Sequence, residues 1–177
     1  MRETGIVRRI DELGRVVIPK EIRRTQRIHS GDALEIFTDG KGEVVFKKYS
    51  PLAELGEPAA AYADVLARRL GCGVAVCDRE KIVAAAGAGR SELLGEPLPP
   101  ELDALLARRK LYTAPEEPLH RVALGSRWLL CAAPVLVHGD IEGGVLLPGM
   151  RRDAVPDPEA IRAAATAAEF LARWMGE

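Results

Sequence analysis

Residues 4–24 read Thr4-Gly-Ile-Val-Arg-Arg-Ile-Asp-Glu-Leu-Gly-Arg-Val-Val-Ile-Pro-Lys-Glu-Ile-Arg-Arg24. Two short apolar runs, residues 5–10 and 15–18, have strand-like composition. Between them Asp11-Glu-Leu-Gly14 is turn sequence, with Gly14 free to take a positive φ. Pro19 suits the first position of a helix, where its missing N–H is not needed, and a helix is predicted over 20–27. Ile22 and Gln26 fall on one side of it, with Arg23, Arg24 and Arg27 more exposed. His29-Ser-Gly-Asp32 ends it. Strands are predicted over 34–38 and 43–47, around the hairpin signal Asp39-Gly-Lys-Gly42.

Four short strands and a two-turn helix bury little surface by themselves. Ile6, Ile10, Val16, Ile18, Leu34, Ile36 and Val45 need a partner surface, and a second copy of the chain is the simplest supplier. The first fifty residues are therefore expected to form an obligate dimer.

Charge is unevenly spread. Residues 1–50 hold 11 Lys+Arg against 8 Asp+Glu, whereas residues 51–177 hold 14 against 18. The excess is denser in residues 1–29, with 8 basic and 4 acidic groups, so a polyanion partner is expected at that end. Arg8 and Arg9 precede the Asp11–Gly14 turn, Arg15 follows it, and Arg23 and Arg24 lie on the helix. In an interleaved dimer each occurs twice, so one face can carry ten arginines. Such a face neutralises phosphates and releases their counterions, and the guanidinium fork also bonds guanine edges.

Ser50-Pro51 marks a boundary. Residues 51–70 read as a helix broken near Gly56 and Pro58, with Leu52, Leu55, Tyr62, Leu66 and Leu70 at roughly helical spacing. Beyond it, strands are predicted over 72–77, 82–86, 121–124, 128–137 and 141–147. A helix is predicted from Pro99-Pro100 onward and another over 157–175, with Asp157 as its N-cap. Ile161, Ala164, Ala168, Leu171 and Met175 line one face of that last helix. The order is that of an α+β sensory-type module. The apolar stripes of 51–70 and 157–175 allow two arrangements, a bundle with a second pair of helices or burial against their own sheet.

The ordered run Asp-x-x-Gly-Arg-Val-x-Ile-Pro-Lys-x-Ile-Arg over 11–23, extended by Gly31-Asp32 and Leu34-Glu-Ile-Phe37, closely resembles the swapped-hairpin DNA-binding domain of the AbrB transition-state regulators. The second half narrows this. Lys47-Lys-Tyr-Ser-Pro51, Ala133-Pro-Val-Leu-Val137 and Gly143-Gly-Val-Leu-Leu147 resemble the stage V sporulation regulator family, which joins such a domain to a GAF-like module. The resemblance implies a swapped-hairpin β-barrel made by an interleaved dimer over 1–50, a linker and oligomerisation helix over 51–70, and a GAF-like α+β regulatory domain with a C-terminal helix over 71–177. It implies a tetramer that binds double-stranded DNA and activates or represses forespore genes. It suggests Arg8, Arg15, Arg23 and Arg24 as principal DNA contacts, with Arg9 and Lys20 secondary. Gln26, His29 and Ala33 depart from the residues usual in that family, none at an expected contact. An antitoxin-like protein, with the same kind of DNA-binding domain and a partner-binding tail, is the alternative.

No enzymatic site rises above background. His29, His120 and His138 are scattered, Ser91 and Ser126 have no elbow, and Gly87-Ala-Gly89 is too short for a phosphate loop. Cys72, Cys77 and Cys131 read as reduced, structural thiols. Cys72 and Cys77, an odd number apart in a strand, point to opposite faces and do not share a metal. No cofactor or metal is expected. A small-molecule ligand for the GAF-like module and a purely architectural module remain equal readings. With neither a signal peptide nor an 18-residue apolar run, the chain is expected in the cytoplasm at the nucleoid, without membrane contact.

Overall fold

The computed structural model describes residues 4–115 and 120–176. The chain forms two compact units, Met1–Tyr49 and Ser50–Glu177.

In the first unit, helix α1 (Lys20–Thr25) is followed by the antiparallel hairpin β1 (Leu34–Thr38) and β2 (Val44–Lys48), paired from Leu34↔Lys48 to Thr38↔Val44. Helix α1 is shorter than expected. Arg27 turns into the left-handed region (φ 50°), and the Ile28 N–H then closes on Arg23 O at 2.7 Å. Residues 5–10 and 15–18, expected as strands, join no ladder in the single chain. A strand needs an edge to pair with, and within one chain β1 and β2 pair only with each other. The turn between the two runs is nonetheless formed, with Asp11 N donating to Arg15 O (3.0 Å) and Gly14 N to Asp11 O (3.0 Å). Among the described residues of this unit only Pro19 is buried. Val7 is 83% exposed, Leu13 74%, Val17 72% and Ile10 71%. Among the described residues of this unit these apolar side chains find no core to enter.

The second unit starts at Ser50, whose Oγ accepts from Ala53 N (3.2 Å) and donates to Asp78 Oδ2 (3.0 Å). This caps α2 (Pro51–Glu54), and after Leu55 the chain continues as α3 (Gly56–Leu70). Then follow β3 (Val74–Cys77), β4 (Ile82–Ala86), α4 (Arg90–Leu93), α5 (Pro100–Leu106), β5 (Tyr112–Thr113), β6 (Ala123–Leu124), β7 (Arg127–Val137), β8 (Asp140–Gly149) and α6 (Pro158–Gly176). Asp157 caps α6 through Oδ1, which accepts from Glu159 N at 3.0 Å. The strand expected from 72 begins at Val74, and that expected over 121–124 shrinks to Ala123–Leu124. Helix α4 and strand β5 carry no sequence signal because four and two residues are too short to show a period.

The sheet runs β4-β3-β8-β7-β5, with β6 also on β7, and every pairing is antiparallel. One face packs against α2, α3 and α6 through Leu52, Ala59, Ala63, Ala164, Ala168 and Leu171. The stripes read in the sequence are therefore spent mainly on their own sheet. Alanine dominates because it lets helix backbones approach closely, which suits a chain with only 5% aromatics. The other face packs against Leu93 of α4, Leu98, and Leu102 and Leu106 of α5. Alternation along β3 sends Val74 and Val76 to the first face and Ala75 and Cys77 to the second. Cys72 packs with the first face and Cys77 with the second, so they do point apart. Burial pushes the Cys77 thiol far above its ordinary range and raises Cys131 to about 12.

Gly143 and Gly144 let neighbours approach β8 closely. A Cβ on Gly143 would collide with the Cys77 carbonyl and the Leu52 side chain, and one on Gly144 would sit 2.8 Å from Leu106 Cδ2. The first obstacle is backbone and cannot rotate away. Gly143→Ala is therefore expected to destabilise this unit by at least the ~1–3 kcal/mol of an overpacked core, read as a lower denaturation midpoint.

Candidate nucleic-acid interface

All six basic residues singled out in the sequence are exposed: Arg8, Arg9, Arg15, Lys20, Arg23 and Arg24. They fall on three local elements. Arg8 and Arg9 lie on the unpaired arm before the turn, and Arg8 Nη1 donates to Val7 O at 3.0 Å. Lys20, Arg23 and Arg24 occupy α1, where spacings of three and four place them along one side of the helix. Arg23 and Arg24 also sit in its last turn, where cations complement the exposed carbonyls.

Arg15 closes the turn. Its Nε donates to Asp11 Oδ2 at 2.8 Å, and its backbone N donates to Asp11 Oδ1 at 2.8 Å. Leu13 N donates to the same Oδ1 at 3.0 Å. The hydrogen bonds from the Arg15 backbone and side chain hold the Asp11 carboxyl below its ordinary range. Sequence reading recognised the arginines but not this carboxylate, whose signal is an Asp four residues before an Arg across a Gly-containing turn.

Chemically this is a set of solvated guanidinium and ammonium groups, with no nucleophile–base pair beside them among the described residues. Among the described residues no cluster of three or more His, Cys, Asp or Glu is placed to hold a metal. No helix of the described residues is long and apolar enough to cross a membrane.

The model of the family described as "Stage V sporulation protein T C-terminal, transcription factor" matches residues 54–176. Stage V sporulation protein T of Bacillus subtilis is 41% identical over 186 residues, covering 99% of this chain and 99% of that protein. The chain belongs to the stage V sporulation protein T family. Like that family, it is a transcription regulator with an AbrB-like N-terminal domain. Residues 7–53 also match the family described as "Antidote-toxin recognition MazE, bacterial antitoxin". The transition state regulatory protein AbrB of Bacillus subtilis is 59% identical over 51 residues, which is 29% of this chain and 52% of that protein. The second unit shares its α+β fold with the type II free methionine-R-sulfoxide reductase of Thermoplasma acidophilum. That likeness covers 68% of this chain and 94% of the other at 14% identity, with a TM-score of 0.51, and it speaks to fold alone.

Proposed function

We propose that this member of the stage V sporulation protein T family regulates forespore genes by gripping double-stranded DNA with Arg8, Arg15, Arg23 and Arg24, assisted by Arg9 and Lys20. The observation that carries this is the set of exposed basic side chains on a unit whose apolar residues are also exposed. The unit is completed by a second copy, which doubles every arginine. Residues 1–50 are the dimeric DNA-binding domain, 51–70 the connecting and oligomerising helices, and 71–177 the regulatory domain. Two such dimers join into a tetramer through the outer sides of α3 and α6, where Val65, Phe170 and Trp174 stay exposed and Phe170 stacks on Tyr62 at 4.9 Å. The place of action is the cytoplasmic nucleoid, and no reaction is catalysed. Competition binding of the full chain to a forespore promoter fragment against scrambled DNA of equal length tests the reading. Selective binding is expected; equal binding to both would refute it.

The antitoxin alternative draws on the match over 7–53 but calls for a tail that wraps a toxin. The described residues from Ser50 onward instead build a sheet with a packed core on both faces.

A small-molecule ligand for the second unit has one specific observation in its favour. Among the described residues Tyr112 Oη and Arg127 Nη1 are buried without a hydrogen-bond partner. Both stand on the sheet face covered by α4 and α5, since Tyr112 pairs with Ala132 and Arg127 with Leu124, whose side chains lie there. Buried polar atoms of this kind cost about 1–3 kcal/mol each when unpaired. A ligand offering acceptors there relieves the cost. Tyr112→Phe is accordingly expected to leave the ligand-free protein as stable or more stable, by up to about 1 kcal/mol in chemical denaturation. A clear loss would show that the hydroxyl already has a partner.

Arg127 is otherwise held by Glu92. Nε and Nη2 reach its carboxylate at 3.2 and 3.3 Å, and Ser126 Oγ donates to it at 2.5 Å. Ser126 first, then Arg127, lowers the Glu92 pKa from its ordinary 4.5. A carboxylate depressed in the folded state contributes stability that is present above its unfolded pKa and lost as pH falls through the folded one. Glu92→Gln is expected to lose less stability than the parent chain between about pH 6 and about pH 3. Parallel acid titrations followed by circular dichroism read the difference.

A further inference from the structure

An acidic residue inside an arginine-rich DNA-binding segment calls for a reason, since it repels phosphates. Asp11 and Glu12 are adjacent, and both are exposed. They differ in what they touch. Asp11 accepts from Leu13 N, Arg15 N and Arg15 Nε at 3.0, 2.8 and 2.8 Å. Among the described residues the Glu12 carboxylate makes no bond of this kind.

The Asp11–Arg15 ion pair is solvated, with side chains 44% and 70% exposed, and pairs so placed add little to stability. Its effect lies instead in where it holds the guanidinium. A carboxylate at Nε leaves the far edge of the guanidinium plane, with Nη1, for a second acceptor. The same carboxylate fixes the turn from which Arg15 departs. The long side chain is thus partly ordered before any ligand arrives.

We propose that Asp11 is a positioning residue for DNA recognition, presenting the Arg15 guanidinium to the DNA through the Nε contact. This rests on the reading of Arg15 as a DNA contact. Ordering one rotamer-rich side chain in advance corresponds to roughly a three- to tenfold change in Kd for each chain of the dimer. That gain opposes, and exceeds, the screened repulsion of one exposed carboxylate.

The test is a double-mutant cycle on the full chain, titrated against a fluorescent promoter fragment at fixed salt, with dimer formation and thermal midpoint checked for each variant. Asp11→Asn keeps the carbonyl oxygen that serves the Leu13 and Arg15 N–H groups but removes the charge facing Nε. Glu12→Gln removes the same charge from the neighbouring position. Glu12→Gln is expected to bind as tightly as the parent chain or somewhat tighter. Asp11→Asn is expected to bind roughly ten- to a hundredfold more weakly, because a dimer loses the contact in both chains. In an Arg15→Ala background Asp11→Asn is expected to have no effect or to tighten binding, because only repulsion remains. The proposal is overturned if Asp11→Asn tightens binding as Glu12→Gln does, or weakens it equally with and without Arg15. If Arg15→Ala leaves affinity unchanged, the reading of Arg15 as a contact fails and this inference falls with it. Weaker binding with Arg15→Ala but not with Asp11→Asn removes the inference alone.

Discussion

Val17→Asp is expected to halve the mass of the protein in sedimentation and to abolish DNA binding, while residues 50–176 stay folded. Val17 is 72% exposed in the single chain, in a unit where Pro19 alone among the described residues is buried. Burying a side chain of this size contributes about 1.5–3 kcal/mol, and an interleaved dimer buries two copies. Aspartate forfeits that gain and adds the cost of an unpaired carboxylate in an apolar interface, several kcal/mol more. Few single interfaces of about fifty residues survive such a loss. The second unit keeps its own two-faced core, so its near-native helix signal remains, and with it the proposed packing of α3 and α6 on another chain. The mass therefore falls by half rather than to a single chain. An unchanged mass with intact DNA binding would show that Val17 is not at the dimer interface.

Arg23→Ala is expected to weaken DNA binding by roughly a hundredfold to ten-thousandfold without loss of fold. A hydrogen bond to a charged group is worth about 1.5–3 kcal/mol, and a dimer gives up two. Alanine is the best helix former, and Arg23 is exposed on α1, so stability should stay level or rise slightly. The measurement is a titration at constant salt beside a thermal melt. A loss of affinity below about threefold would place Arg23 outside the interface.

How far the sequence foretold the structure depends on where each segment finds its partners. Strands β7 and β8 were legible because eleven and ten residues of β-rich sequence flank a tight His138-Gly139 turn. Helix α6 was legible because a cap, Asp157-Pro158, precedes a long apolar period. Residues 5–10 and 15–18 read as strands but join no ladder in one chain, and the proposed interleaved dimer is what would give them partners. Arg8, Arg9 and Arg15 lie in these runs and Arg23 and Arg24 on α1, so the candidate interface was legible as a set of side chains and not as a surface. Asp11 went unread for a related reason. A carboxylate among arginines looks like charge balance until its three hydrogen bonds are seen. The unpaired Tyr112 and Arg127 atoms were beyond reach, because burial of a single atom leaves no mark on sequence pattern.

Central to the proposed function is a DNA-binding face formed only when two chains contribute their arginines together. The slope of log Kobs against log salt concentration counts the neutralised phosphates directly, at about 0.9 for each. Compared between the parent chain and Arg23→Ala, with one dimer bound per site, the slope is expected to become shallower by about 1.8, because one substitution removes a cation from each of two chains. An unchanged slope, or a change of only about 0.9, would contradict a face built symmetrically from two copies.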